Sequence, residues 1–347
     1  MQGRTARHGC ALLAGLVVAV PALALAVGVV LSPLTPWTIA YALGLATLAV
    51  GLLLFAFQRR RARVIAAAGA ALLLAVGVLR LVRSQPVPGV RLTSLPGDGG
   101  ARWVARLLPE QDGSLPAARL LELGGGLNDD EGLRFADILR ASYERMGAAS
   151  TTATPAIATY LGLQRATAFD TVVITDPAQT KARDAVIFLH GYAGNFLVYC
   201  WEFAQAARKA GFFTVCPSVD SHGAWWSDTA ERTLLETLSF VRELGAQRIV
   251  LAGLSNGAAG ASVLAWRHRK ELSGLILISG SRAEQAPPGL PTLVVQGSRD
   301  RMMPASDARA YARRSGAHYA EIGGGHLVFL SRHEQVRPVI SHFLQSL

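Results

Sequence analysis

Three residues in one order could together cleave an acyl bond: Ser255, Asp300 and His326. A serine hydroxyl is a poor nucleophile at neutral pH unless a base takes its proton. An imidazole suits that task, and a carboxylate can fix its tautomer and stabilise the imidazolium that forms. Ser255 lies in Gly253-Leu254-Ser255-Asn256-Gly257, after an apolar run and before an alanine-rich one. Between a strand and a helix, such glycines allow a sharp turn that holds the hydroxyl exposed. By itself G-x-S-x-G is a weak motif, since small residues match it by chance. Its weight comes from the other two residues. Asp300 closes Gly297-Ser298-Arg299-Asp300 after the run Thr292–Gln296. His326 closes Gly323-Gly324-Gly325-His326 after the run Tyr319–Ile322.

The elements that must position these residues are legible from about Phe169 onward. Strands are predicted over Thr171–Thr175, Ala185–Leu189, Phe213–Cys216, Arg248–Ala252, Leu275–Ser279, Thr292–Gln296 and Tyr319–Ile322. Helices are predicted over Phe196–Ala210, Ser227–Leu244, Gly257–Arg269, Pro304–Ser315 and Leu330–Gln345. The alternation implies right-handed crossovers and an α/β fold with a mainly parallel sheet flanked by helices. Active sites of such sheets lie at the carboxyl ends of the strands, where all three residues fall. A developing oxyanion needs preformed donors. Two backbone N–H groups are candidates: Asn256, after the serine, and Tyr192, in His190-Gly191-Tyr192-Ala193-Gly194-Asn195 after Ala185–Leu189. The His190 ring reads as a structural hydrogen-bonder. Trp225 and Trp226 follow Asp220-Ser221-His222-Gly223 in a loop at the same edge. They either wall a substrate pocket or anchor the loop by packing. Asp220 and His222 lack a third ligand at suitable spacing, so no metal is expected, and no cofactor.

With those motifs in place, the chain from about residue 169 to its end resembles the α/β-hydrolase superfamily. The His190–Asn195 loop and the Gly253–Gly257 elbow resemble those of bacterial esterases and of lysophospholipase-like or serine-aminopeptidase-like members. The resemblance implies acyl transfer to water through an acyl-serine intermediate. It does not fix the acyl group, because the fold hosts many chemistries. A lipid or small-molecule carboxylic ester is the expected substrate. A peptidase, an acyltransferase on the same triad and a catalytically inactive binding module are the alternatives. Many members carry a cap before the strand equivalent to Thr292–Gln296. Here Gly280–Pro291 leaves no room for one, so the site is expected to be open unless residues 101–168 cover it.

The rest of the chain is of another kind. The sequence is 51% hydrophobic and 17% charged, against about 25% charged in a typical soluble domain. The apolar excess lies before Arg83, in the runs Cys10–Leu31, Trp37–Phe57 and Val64–Leu79, the last reaching Val82 if Arg80 snorkels. Each is long enough to cross a ~30 Å hydrocarbon core, so three transmembrane helices are expected, with membrane lipid around them. For the first, a cleaved signal peptide ending near Ala22-Leu23-Ala24 is the alternative. Arginines flank the first run and fill Arg59–Arg63, while Ser32–Pro36 carries no charge. The positive-inside rule then places the Arg59–Arg63 loop in the cytoplasm and, after three crossings, everything beyond Arg83 outside. No Asp, Glu, Lys or His within the runs marks an ion path. Net charge is +10, but the arginines are scattered without a basic stripe, so nucleic acid is not an expected partner.

The expected organisation is therefore a membrane region at 1–83, a linker and helical extension at 84–168 and a catalytic domain at 169–347. Ser84–Gly100 is rich in Pro and Gly, as a linker is. Glu131–Met146 has the spacing of an amphipathic helix. The extension is either a lid or a packing element. Cys200 and Cys216 fall near one edge of the sheet. They are free packed cysteines by default and a disulfide if the domain lies outside.

Overall fold

The computed structural model describes residues 9–10, 12–23, 35–57, 59–84, 87–97, 99–125, 131–147, 153–174, 183–282 and 284–347. Its apolar start forms helices α1 (Leu12–Leu23), α2 (Pro36–Ala56) and α3 (Ala62–Arg83). α2 and α3, of 21 and 22 residues, are long and apolar enough to cross a membrane. α1 is not: at the usual rise it spans about 18 Å, and the rest of its predicted run, residue 11 and residues 24–31, lies outside the described residues. Two candidate spans therefore stand among the described residues where the sequence predicted three. α2 and α3 form a hairpin with the Arg59–Arg63 turn at one end. At the other end Tyr41 donates to the Leu107 carbonyl at 2.5 Å, the Thr35 hydroxyl bonds Asp112, and the Arg80 guanidinium lies over the Trp37 ring.

Beyond the hairpin the chain runs β1 (Val90–Leu95), α4 (Glu110–Leu123), α5 (Phe135–Met146), α6 (Ala156–Tyr160), β2 (Phe169–Ile174) and β3 (Asp184–Leu189). It continues α7 (Leu197–Lys209), β4 (Phe212–Pro217), α8 (Asp228–Glu243), β5 (Arg248–Leu254), α9 (Asn256–Arg267) and β6 (Gly274–Ile278). It ends β7 (Thr292–Gly297), α10 (Ala305–Ser315), β8 (His318–Ile322), α11 (Val328–Ser331) and α12 (His333–Gln345). The eight strands form one sheet in the order β1-β2-β4-β3-β5-β6-β7-β8. β1 and β2 are antiparallel to their neighbours, and every pair from β4 to β8 is parallel.

Strand residues alternate between two apolar layers, as the period of two requires. In β3, Val186 and Phe188 face the layer of α7, α12, α4 and α5, while Ala185, Ile187 and Leu189 face that of α8, α9 and α10. With both faces covered, the central strands are continuously apolar, as parallel strands are. No helix lies between β6 and β7 among the described residues, in keeping with the short Gly280–Pro291 link.

Four expectations are settled or changed. The Pro/Gly-rich segment is not only a linker: Val90–Leu95 pairs along the whole of β2 as an edge strand, so the sheet begins well before residue 169. Leu115, Ala136, Leu139 and Tyr143 of α4 and α5 are buried in the main apolar layer, which makes these two helices part of the core. The predicted Leu330–Gln345 helix is two helices, α11 and α12, broken at Arg332. Cys200 of α7 and Cys216 of β4 form a disulfide instead of the default free thiols.

Candidate active site

Ser255 joins β5 to α9 with φ 55° and ψ −120°, a backbone conformation that costs a non-glycine residue strain and recurs at functional sites. The surrounding turn fixes it. The Ser255 N–H donates to the Ile278 carbonyl of β6 at 2.9 Å. A Cβ on Gly257 would lie 2.1 Å from the Leu189 carbonyl oxygen, so α9 can start this close to β3 only with glycine there.

The hydroxyl meets its partners directly. His326 Nε2 lies 3.0 Å from Ser255 Oγ, and His326 Nδ1 lies 2.9 Å from Asp300 Oδ2. The other carboxylate oxygen accepts the Met302 and Met303 N–H groups, each at 2.9 Å, and Oδ2 also accepts from Gln296 Nε2 at 2.9 Å. Asp300 is thus a buried, multiply bonded carboxylate, and its charge is held where the imidazole needs it. All three residues are buried to within 9% of their surface. They follow the carboxyl ends of β5, β7 and β8, with β6 between the first two. The loop carrying His326 closes onto β7, since a Cβ on Gly297 would lie 2.1 Å from the Gly325 carbonyl oxygen.

Among the described residues, neither the Tyr192 nor the Asn256 N–H has a protein acceptor. Asn256 opens α9, where the first N–H groups lack intrahelical partners. Its side chain donates to the His222 carbonyl at 2.8 Å, tying the loop after β4 to the elbow. The Tyr192 loop is held by Ala193, whose N–H donates to the Ser221 carbonyl at 2.7 Å.

His190 is a structural side chain. Its Nδ1 bonds the Gly191 carbonyl at 2.8 Å and its Nε2 accepts the Val219 N–H at 3.2 Å, which is the neutral tautomer. Burial pushes its pKa down to about 4. Trp225 takes the packing role of the two left open. It is fully buried, its Nε1 donates to the His190 carbonyl at 2.8 Å, and its ring meets His190 edge-on. Neither Trp225 nor the partly exposed Trp226 borders the cavity at Ser255, so the pocket-wall reading is corrected for both. Trp225 is sunk between α9 and the β3 loop, where a Cβ on Gly260 would lie 2.1 Å from the Trp225 Cβ.

That cavity holds about 140 Å³ beside Ser255 and His326, with Leu121, Phe135, Tyr199 and Phe329 among its walls. Two of these come from α4 and α5, so the extension walls the site, the alternative to an open one that the sequence left standing. It also holds the histidine loop. Glu131, buried, accepts the Gly325 N–H at 2.9 Å and the Ser331 hydroxyl at 2.6 Å. Glu110, also buried, accepts the Leu197 and Val198 N–H groups at the start of α7, at 2.7 and 3.0 Å, where the helix dipole favours an anion. Sequence reasoning found neither residue, because each acts on a segment far along the chain. Gln296 did leave a signal, as a polar residue at the end of an otherwise apolar strand. No cluster of metal-ligating side chains occurs among the described residues.

No protein-family model and no curated protein matches the chain. Solved structures resemble part of it. Est1E from Butyrivibrio proteoclasticus is 15% identical, with a TM-score of 0.44 over 52% of this chain and 94% of that one. The Pyrococcus furiosus esterase Pf2001 is 14% identical, with a TM-score of 0.42 over 52% and 87%. An alpha-beta serine hydrolase homologue from Coxiella burnetii is 17% identical, with a TM-score of 0.41 over 50% and 91%. At these scores the site is read from its own geometry alone.

Proposed function

We propose that this chain is a membrane-anchored serine hydrolase of the α/β-hydrolase type that cleaves a carboxylic ester. The observation that carries the reading is the continuous bonded path from Ser255 Oγ through His326 to Asp300, with the serine at the mouth of an apolar cavity. In this mechanism the acyl group enters the cavity and Ser255 Oγ attacks its carbonyl carbon. His326 Nε2 takes the hydroxyl proton, and Asp300 stabilises the imidazolium. The negative charge on the former carbonyl oxygen is met by the Tyr192 and Asn256 N–H groups. The carbon–oxygen ester bond breaks, and His326 returns the proton to the leaving alcohol. Water then attacks the acyl-serine, again losing its proton to His326, and the acid leaves with Ser255 restored.

The test is labelling of the full-length protein by a fluorophosphonate, with hydrolysis of a p-nitrophenyl ester measured in parallel. Wild type is expected to label and turn over. Ser255→Ala and His326→Ala should lose labelling and fall by about 10⁴-fold or more in kcat, the scale on which such triads fail. An unlabelled, well-folded wild type would shift the reading to a binding module. Label without hydrolysis, but with transfer to an added alcohol, would make it an acyltransferase.

A further inference from the structure

A second cavity adjoins the first and is built differently. It holds about 420 Å³ and shares Leu330 with the cavity at Ser255 as a common wall. Four guanidinium groups line it, from Arg134, Arg145, Arg299 and Arg332. Its two carboxylates are already engaged. Glu131 accepts from Gly325 and Ser331, and Asp137 pairs with Arg119 and Arg140 at 2.7 and 3.3 Å. Arg145 shares the single buried carboxylate of Glu202 with Arg337. Arg332 Nε donates to the Gly323 carbonyl, which carries no charge. Arg134 and Arg299 have no carboxylate partner among the described residues. Among the described residues the cleft therefore gathers four arginines against the two carboxylates of Glu131 and Asp137, on side chains whose planar forks match phosphate and carboxylate oxygens.

We propose that this cleft binds an oxyanion group, best matched by phosphate, carried by the ester whose acyl end fills the neighbouring cavity. The oxyanion site stands on the cleft alone, and its assignment to the substrate rests on the proposed hydrolysis at Ser255. Two adjoining cavities, one apolar and one cationic, select an ester with an anionic group on its alcohol side.

The first arm of the test titrates full-length protein in neutral detergent with inorganic phosphate by calorimetry, wild type beside the double variant Arg134→Gln/Arg299→Gln. Wild type is expected to bind, and the variant to bind at least about tenfold more weakly, the scale of losing a charge-assisted hydrogen bond. No binding by wild type, or equal binding by both, overturns the site. The second arm measures kcat/KM for a butyryl ester with a phosphate group on its alcohol and for its uncharged analogue. The ratio of the two is expected to favour the phosphate ester and to fall about tenfold in the variant, through KM. An unmoved ratio with phosphate binding lost would assign the cleft to a free oxyanion and overturn the substrate half. The titration needs no turnover, so it decides the cleft whether or not Ser255 proves reactive, while failure of fluorophosphonate labelling counts against the hydrolase reading alone.

Discussion

At the scale of single residues, the site depends on groups whose charge state is held by burial and bonding. His190 makes this measurable. Buried and neutral, it has a pKa of about 4 in the folded protein, against about 6.5 in an unfolded chain. As pH falls, the unfolded state takes the proton first, so stability is complete above pH 6.5 and is lost as pH drops toward 4. The difference corresponds to about 3 kcal/mol across the window. Exposed carboxylates remain ionised between pH 6.5 and 5, while burial raises the pKa of Glu110, Asp112 and Asp170, so the effect is isolated by comparing denaturant unfolding of wild type and a His190 variant in that interval. Stability should fall with falling pH, and His190→Gln should flatten the slope. An equally steep slope in the variant would assign it to another group. The meeting of Ser255, His326 and Asp300 and the structural nature of His190 were both readable from residue type and position at a strand end. The role of Trp225 was not, because a tryptophan beside a strand end is compatible with a pocket wall or an anchor until its N–H finds an acceptor, here the His190 carbonyl.

At the scale of elements, the alternation of apolar strands and amphipathic helices was legible from β2 onward, since each pattern is local. What the sequence hid is the extension. Gly113 and Pro116 are poor helix formers, yet α4 runs through both, because its apolar side is buried on the core. The contribution of β1 depends on pairing with a strand 74 to 84 residues away, which no local pattern encodes. Glu131 is the functional consequence of that hidden packing. Glu131→Ala would leave the Gly325 N–H without its acceptor, at a cost of about 1–3 kcal/mol. With the adjacent His326 displaced, kcat should drop about 10- to 100-fold at little change in KM, and Glu131→Gln should restore part of it. A stability loss with kcat within twofold of wild type would limit Glu131 to a structural role. The same extension sets substrate size. A cavity of about 140 Å³ has room for roughly four or five small groups at about 30 Å³ each. Butyryl esters should therefore outperform octanoyl esters, and Phe135→Ala or Leu121→Ala should shift the preference toward the longer chain. A wild type that prefers octanoate would mean that α4 and α5 move aside in use.

At the scale of the whole molecule, the hairpin of α2 and α3 would set the side of the membrane on which the proposed hydrolysis takes place. Its Arg59–Arg63 turn lies at one end, and the bonds from Tyr41 and Thr35 to the globular domain lie at the other. If that turn obeys the positive-inside rule, the domain lies outside whether or not α1 also crosses, because a two-helix hairpin returns the chain to its starting side. The disulfide between Cys200 and Cys216 agrees with this side, since such bonds persist in oxidising compartments. Two measurements read the same topology. Protease added to intact cells or spheroplasts should digest the domain beyond Arg83, whereas full protection would place it in the cytoplasm. On protein isolated under alkylating conditions, Cys200 and Cys216 should resist maleimide until a reductant is added, while Cys10 is the free thiol. Cys200→Ser should then lower stability by about 3 kcal/mol, the entropic scale for a loop of 16 residues. Protection from protease together with freely reactive Cys200 and Cys216 would reverse the orientation and move the globular domain to the cytoplasmic face.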